Sequence, residues 1–304
     1  MKADLYLFNS SFICRDEISL NVLREDIKEL QKIIQNIKEN SAKYQSEKDQ
    51  VFNYEGIYEI TIFKDVTIAE FLYNNIISFR KLRDEKKVLM KILDHAIKIN
   101  LNEEEILDIL RNDSDNFSGL LCLHSIYVDK MDNKLIVKTK EHWYNFHRHF
   151  LSKNPVDDSN FYSESQKYFT NIYFHPNVEK TLKKLEGGLE KFAETIVYNL
   201  TQLNDNFSVY SNPSDRIGTL RKFSSSCGVN ASPEGNASRK PSLTFEFIDE
   251  NSNPISICCE PHLKLGKADM PGDTHFYYNR IYFHEGKPNV EGGRILVAHI
   301  GKHL

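Results

Sequence analysis

The end of the chain constrains the fold most strongly, because four apolar stretches separated by turn-forming residues follow one another after residue 241. The stretches read SLTFEFID, PISICCEPHLKL, HFYYNRIYFH and RILVAHIGKHL. Their connectors, 249–253, 266–273 and 285–293, are rich in Asp, Asn, Pro and Gly. Short stretches bounded by such residues are typical of strands joined by turns. We therefore expect a small four-stranded antiparallel sheet over residues 242–304.

The first two thirds of the chain are dominated by helical periodicity. Apolar residues between 17 and 40 recur at intervals of three and four, which predicts an amphipathic helix with a coiled-coil-like seam. Thr67 and Glu70 match a capping box that opens a further helix. The run 119–138 instead resembles a hairpin with its turn at 131–133. The sequence therefore predicts an α+β protein in which a mainly helical N-terminal domain precedes the small sheet.

Composition changes between these two parts. Residues 206–241 are rich in Ser, Asn, Pro and Gly and poor in apolar side chains, which indicates a linker and a mobile loop. The predicted organisation is a helical regulatory or partner-binding domain at 1–205, this linker, and a β domain at 242–304 that carries the active site.

The charge and cysteine content of the chain limit the class of protein to which it can belong. The net charge of −4 conceals a split, since residues 216–304 hold 11 basic and 9 acidic side chains and five of the eleven His residues. The five Cys residues are an odd number without the spacing of a disulfide framework. The sequence shows neither a signal peptide nor a run of eighteen apolar residues. We expect a cytoplasmic protein with no membrane partner and a local site in the last third.

Polar side chains alternate with apolar ones along two of the predicted strands. Glu260, His262 and Lys264 share one strand face, and Arg280, Tyr282 and His284 share a face of the next strand. If the two strands pair with these faces aligned, the sheet presents proton donors, proton acceptors and two fixed cations together. Such a surface suits a phosphodiester substrate. The competing interpretation is a solvated strand face with no chemical role, and His299 is interpreted as a satisfied, partly buried histidine.

The segments PHLKL, NRIYFH and RILVAHIGKHL resemble the short α+β sheet of RelE-like and colicin-type ribonuclease toxins, over about residues 216–304. The resemblance implies RNA cleavage without a metal ion or cofactor. It assigns Lys264 and Arg280 to phosphate binding and transition-state stabilisation, and His262 with Tyr282 to acid–base catalysis. The candidate substrate-binding residues are Arg239, Lys240, His284 and His303.

These toxins are usually small, whereas some 215 residues precede the sheet here. That arrangement resembles bacterial antiviral effectors, so we expect a metal-independent ribonuclease effector of a toxin or antiviral defence system. Its expected partners are RNA and either a regulatory protein or a second copy bound through the 17–40 helix.

Two alternative hypotheses about the function remain open. A metal-dependent nuclease of the PD-(D/E)xK type would use Asp249, Glu260 and Lys264, but Glu260 and Lys264 are four residues apart rather than two. A non-catalytic nucleic-acid-binding or scaffold subunit would use the same polar face with its interleaved aromatic residues for base stacking. His142, His147 and His149 lack the spacing of zinc ligands and indicate a packed aromatic helix, so no metal site is predicted.

Overall fold

The computed structural model describes residues 1–14, 19–112, 117–212, 214–234, 236–266 and 279–304. The chain divides into two compact units, residues 1–147 and 148–304. The division falls inside the helix Lys140–Lys153. Within the described ranges, no helix is long and apolar enough to span a bilayer.

The first unit is an α/β structure. Its strands are β1 (Asp4–Leu7), β2 (Gln50–Asn53), β3 (Thr61–Phe63), β4 (Val66–Thr67), β5 (Ile97–Lys98), β6 (Ser118–Leu121) and β7 (Ile136–Val137). Its helices are α1 (Leu20–Tyr44), α2 (Ile68–Tyr73), α3 (Arg83–His95), α4 (Glu103–Asn112) and the first part of α5 (Lys140–Lys153). Short 3-10 turns occupy Asn9–Phe12, Ile57–Glu59, Ile77–Leu82 and Asn133–Leu135.

Five of these strands form one parallel sheet in the order β5-β2-β1-β6-β7. Counted in chain order the arrangement is 3-2-1-4-5, so the chain moves outward in one direction from β1 and then in the other from β6. The strands β3 and β4 form a separate antiparallel pair. The apolar face of α1, including Leu23, Ile27 and Leu30, is buried inside this unit. The seam predicted to bind a partner therefore packs within the chain.

The prediction of a mainly helical N-terminal domain is wrong, because this parallel sheet organises the first unit. The predicted hairpin at 119–138 is also wrong, since β6 and β7 pair side by side in parallel. Buried parallel strands are apolar on both faces and lack the alternation that identifies a strand in sequence. The four residues of β6 are all buried and fit that description. The capping box of Thr67 and Glu70 is confirmed at the start of α2.

The second unit combines helices with a mixed sheet. Its helices are the end of α5, α6 (Asp158–Tyr168), α7 (Asn177–Leu182), α8 (Leu189–Tyr210) and α9 (Arg216–Cys227). Its strands are β8 (Ile172–Phe174), β9 (Ala231–Ser232), β10 (Thr244–Ile248), β11 (Pro254–Cys258), β12 (His262–Lys264), β13 (Asn279–His284) and β14 (Ile295–Lys302). The 3-10 segments are Ala237–Leu243 and Glu291–Gly293. The segment predicted to be a linker, 206–241, thus contains α9 and β9.

The sheet of the second unit has the order β8-β14-β13-β12-β9, with β8 parallel to β14 and the other pairs antiparallel. The predicted four-stranded antiparallel sheet is therefore wrong. The predicted second strand is interrupted before Pro261, and its first half pairs with β10 in a separate hairpin. Proline lacks the N–H that a continuous strand would need, although the Pro261 carbonyl accepts a hydrogen bond from Phe283 N at 2.9 Å.

Candidate functional site

Four polar side chains follow one line across four adjacent strands of the second unit. Ser232 of β9 lies opposite His262 of β12, and His262 lies opposite Tyr282 of β13. Tyr282 in turn lies opposite His299 of β14. Residues directly opposite each other project from the same face of a sheet. We call Ser232, His262, Tyr282 and His299 the polar row.

Neighbouring members of the polar row are in contact. His262 Nε2 and Ser232 Oγ share a hydrogen bond of 3.1 Å. The His262 and Tyr282 ring centroids are 5.1 Å apart, and those of Tyr282 and His299 are 5.7 Å apart. His303 lies beside the row, with its ring 6.3 Å from His262 and 6.1 Å from Tyr282. The sheet register therefore assembles three histidines and a tyrosine into one cluster.

The polar row is buried apart from Ser232, which is partly buried, whereas the sequence predicted an accessible sheet face at His262 and Tyr282. His262 is 3% exposed and Tyr282 is fully buried, and Arg280 beside them is 7% exposed. The expectation of a solvated or open face is thus wrong for these three residues. Alternation shows which side chains share a face but does not show whether other segments cover that face. Here the 3-10 segment Ala237–Leu243 brings Arg239 against His303.

Burial keeps the polar row uncharged at neutral pH. Burial and then the nearby Arg280 charge lower the pKa of His262 to about 4. Burial likewise lowers the pKa of His299 to about 4 and raises the pKa of Tyr282 to about 12. Desolvation disfavours the charged form of each group, so these directions have a common cause. Neutral His262 is a proton acceptor, and neutral Tyr282 is a proton donor.

Three polar atoms in the polar row are buried with little compensation. His262 Nδ1, the Tyr282 hydroxyl and His299 Nδ1 form no hydrogen bond of normal geometry in the part of the chain that the structure describes. Each of the two histidines is bonded through its other nitrogen, since His262 Nε2 bonds to Ser232 and His299 Nε2 donates to the Lys302 carbonyl at 2.7 Å. Buried polar atoms without partners are uncommon and call for an explanation such as catalysis or ligand binding. These three atoms therefore make the polar row chemically distinctive.

The predicted cations lie at the next position of the register. Lys264 is directly opposite Arg280, so both project from the face that carries His262 and Tyr282. Arg280 donates through Nη1 to the Asn279 carbonyl at 2.9 Å. The structure thus groups the four predicted catalytic residues on one face. Their arrangement places two positive charges beside neutral acid–base groups.

The structure brings two of the four predicted substrate-binding residues together and leaves the other two apart. Arg239 Nη1 lies 2.9 and 3.0 Å from the two His303 ring nitrogens, next to the polar row. Glu234 Oε2 is 3.7 Å from Arg239 and 3.6 Å from His303. Lys240 is exposed and has no described side-chain contact with the row. His284 instead accepts a hydrogen bond from Gly286 N and lies beside the Arg216–Glu285 ion pair.

Sequence reasoning missed Ser232 and Glu234 and gave His299 only a structural role. Ser232 belongs to a two-residue strand inside a segment with a loop-like composition. Its position opposite His262 depends on pairing between residues 30 positions apart. No local pattern marks such a partner. The histidine-rich ending of the chain and the alternation in β12 and β13 were the signals that located the cluster.

The residues of the metal-dependent alternative have other partners. The Asp249 carboxylate accepts hydrogen bonds from Asn251 N and Asn253 N of its own turn. Glu260 lies 3.8 Å from the Arg216 guanidinium. Among the described residues, no group of three His, Cys, Asp or Glu side chains is arranged to hold a metal ion. The acids of that alternative are therefore accounted for by turn and ion-pair contacts.

Trp143 and His147 of helix α5 contact the buried carboxylate of Asp49. The Asp49 carboxylate accepts from Trp143 Nε1 at 2.8 Å and lies 2.9 Å from His147 Nε2. It also accepts from the Ala3 backbone N–H at 2.9 Å. The interpretation of this helix as a packed aromatic element is consistent with the full burial of His147.

A second polar cluster lies in the first unit, after the carboxyl ends of β1 and β6. Asp26 of α1 lies 2.6 Å from His124 Nδ1 and 3.3 Å from Lys138 Nζ. Burial alone would raise the pKa of Asp26, but the His124 hydrogen bond and the Lys138 charge hold it below its usual range. The His124 backbone N–H donates to the Ser11 carbonyl, which links the two strand ends. Open α/β sheets bind ligands at such a topological switch point.

Comparisons with family models, curated proteins and solved structures found no match to this chain.

Proposed function

We propose that the second unit cleaves RNA by metal-independent acid–base chemistry at the polar row. The observation that carries the proposal is the alignment of His262 and Tyr282, neutral and buried, next to Lys264 and Arg280. This combination supplies a base, an acid and two cations within one sheet face. Transfer of protons at a reacting group and stabilisation of developing charge are the two demands of phosphodiester cleavage.

His262 is the proposed general base. When Nε2–H donates to Ser232, the lone pair lies on Nδ1. Nδ1 takes the proton of the ribose 2′-hydroxyl as the 2′ oxygen forms a bond to phosphorus. A pKa near 4 makes this imidazole a weak base in the free protein. An adjacent phosphate anion raises the histidine pKa, because an opposite charge favours the protonated form.

Tyr282 is the proposed general acid. Its hydroxyl stays protonated at neutral pH and gives its proton to the 5′ oxygen as the P–O5′ bond breaks. The products are a 2′,3′-cyclic phosphate and a 5′-hydroxyl. The proton held by His262 then returns to the Tyr282 phenolate, since the two rings are neighbours. Atoms and protons balance over the cycle without an oxidant, a metal ion or a cofactor.

Lys264 and Arg280 offset charge on the phosphate. Substrate reaches the polar row where Arg239 and His303 lie, because the Arg239 side chain is 42% exposed and that of His303 is 18% exposed. A phosphate group would replace Glu234 as the anionic partner of Arg239. The burial of His262 and Tyr282 is compatible with catalysis only through such a displacement.

The test is an RNase assay on the purified full chain with a 5′-labelled single-stranded RNA in EDTA. Wild type is expected to cleave, and His262→Gln and Tyr282→Phe are expected to lose at least about a hundredfold in rate, the scale of acid–base catalysis. His142→Gln is the matched control, because His142 is exposed on α5. Cleavage that disappears in EDTA, or that survives both substitutions, would refute the proposal. RNA binding without cleavage would support the non-catalytic alternative instead.

A further inference from the structure

A concentrated set of cations occupies α3 and the 3-10 turn that precedes it. Residues 77–95, which make up this turn and α3, hold six basic and three acidic side chains, a balance of +3 in a chain whose net charge is −4. Five of the six, Arg80, Lys81, Arg83, Lys87 and Lys91, are exposed. This segment is therefore a positive surface within a protein that is acidic on average.

Three of these cations, Arg83, Lys87 and Lys91, are spaced by four residues along α3, the interval that places side chains on one side of a helix. Arg80 precedes them in the 3-10 turn Ile77–Leu82. The opposite side of α3, with Leu89, Ile92 and Leu93, is buried. We call these four cations the basic stripe. Like charges at this spacing destabilise a helix by about 0.2–0.5 kcal/mol per pair.

Ion pairing does not relieve this repulsion. No residue of the basic stripe forms an ion pair within 4.0 Å in the described part of the chain. Glu85 pairs instead with Arg24 at 3.4 Å. Helix α1 shows the usual surface arrangement, in which Lys28 pairs with Glu25. The basic stripe therefore differs from an ordinary solvated helix face and is ready to accept an external anion.

Two exposed apolar side chains lie in the segments that immediately precede α3. Tyr73 at the end of α2 is 64% exposed, and Ile77 is 74% exposed. Lys86 Nζ donates to the Asn74 carbonyl at 3.0 Å, so the end of α2 is held beside α3. Cations that follow a phosphate backbone, combined with an aromatic ring on which a base stacks, are the features of single-strand binding surfaces.

We propose that the basic stripe, together with Tyr73, binds the backbone of single-stranded RNA. The choice of RNA over other polyanions rests on the proposed function. Charge complementarity supports a phosphate backbone, because the cations extend along α3 and the turn before it rather than forming one focused cluster. An exposed aromatic ring gives the bases a contact that a uniformly charged surface would lack.

Binding is measured by fluorescence anisotropy with a labelled 2′-O-methyl oligoribonucleotide, which lacks the 2′-hydroxyl nucleophile and cannot be cleaved by the proposed route. Four phosphate contacts predict a slope of log affinity against log salt of about −3, or about 50-fold weaker binding between 50 and 200 mM salt. The test variant carries Arg80→Gln, Arg83→Gln, Lys87→Gln and Lys91→Gln. The control variant removes the same charge from exposed lysines elsewhere, Lys38→Gln, Lys48→Gln, Lys180→Gln and Lys184→Gln.

The test variant is expected to lose at least tenfold in affinity and most of the salt dependence, while the control retains both. Tyr73→Ala should weaken binding with the salt slope unchanged. Equal losses in the test and control variants, or no binding by wild type, would overturn the proposal. If wild type sediments with phosphatidylserine vesicles and does not bind RNA, the proposal is overturned in favour of a membrane surface. Stripe-dependent binding without cleavage of unmodified RNA would refute the proposed function alone.

Discussion

Replacement of Asp49 with alanine should destabilise the first unit by an amount that the structure allows to be worked out. The carboxylate accepts from three donors, the Ala3 N–H, Trp143 Nε1 and His147 Nε2, at 2.8–2.9 Å. Removing the acceptor of a buried hydrogen bond costs about 1–3 kcal/mol, and such losses within one network are not additive. Three buried donors left without their acceptor therefore cost about 3–5 kcal/mol in total, less than the sum of three separate losses. We expect Asp49→Ala to lower the free energy of unfolding by about 3–5 kcal/mol.

The assay is urea denaturation followed by tryptophan fluorescence. Trp143 is the single tryptophan of the chain and donates directly to Asp49, so its emission reports the site itself. Far-UV circular dichroism follows the chain as a whole. Glu47→Ala, an exposed carboxylate two residues away, is the matched control and should change stability by less than about 0.5 kcal/mol.

The pH dependence gives an independent check. Burial alone would raise the pKa of Asp49, but the His147 charge and the three hydrogen bonds hold it below its ordinary value. A depressed carboxyl pKa contributes stability that is complete above the unfolded pKa and is lost as pH falls through the folded pKa. The difference between wild type and Asp49→Ala should therefore be constant from about pH 5 to 7 and shrink below about pH 4. A loss under 1 kcal/mol at pH 7 would refute the role given to this carboxylate.

Three further predictions concern a turn, the first unit's polar cluster and the pH profile of the polar row. Gly286 has a φ of +110°, and an added Cβ would lie 2.3 Å from the Gly293 carbonyl oxygen. Gly286→Ala should therefore lower the urea midpoint far more than Gly292→Ala, whose Cβ meets nothing within 4 Å; equal effects would contradict the steric argument. Asp26→Ala removes the partner of both His124 and Lys138 and should cost about 2–4 kcal/mol in urea denaturation, with Asp65→Ala as an exposed control. The kcat/KM of RNA cleavage should be constant between about pH 6 and 8, because in the free protein His262 is neutral and Tyr282 protonated over that range; a kcat/KM that falls toward pH 8 would show that the base or the acid is another group.

Local patterns predicted local structure correctly. The capping box at Thr67 depends on residues three apart, and it is present as expected. The apolar period between 17 and 40 corresponds to α1, although the helix extends to Tyr44. Alternation in β12 and β13 placed His262 and Tyr282 on one face, and the register sets them directly opposite.

The remaining parts of the fold and of the site depend on long-range pairing, which the sequence did not predict. The parallel sheet joins β1 to β6 across more than a hundred residues, and β5 and β7 have only two residues each. Such short strands carry almost no periodic signal, and their pairing is decided by tertiary packing. The same limit applies to the site, since Ser232, Glu234 and Arg239 reach the polar row through a segment whose composition indicated a loop.

The products of RNA cleavage test the central claim most directly. The substrate is a 5′-labelled oligodeoxynucleotide that contains a single ribonucleotide. It is incubated with wild-type protein in EDTA, and the fragments are identified by mass spectrometry. Attack by the 2′-hydroxyl predicts one cut, 3′ to the ribonucleotide, with a 2′,3′-cyclic phosphate and a 5′-hydroxyl at the new ends. Cuts at deoxynucleotides, a 5′-phosphate at the new end, or no cleavage without a divalent cation would contradict the assignment of His262 and Tyr282 as base and acid.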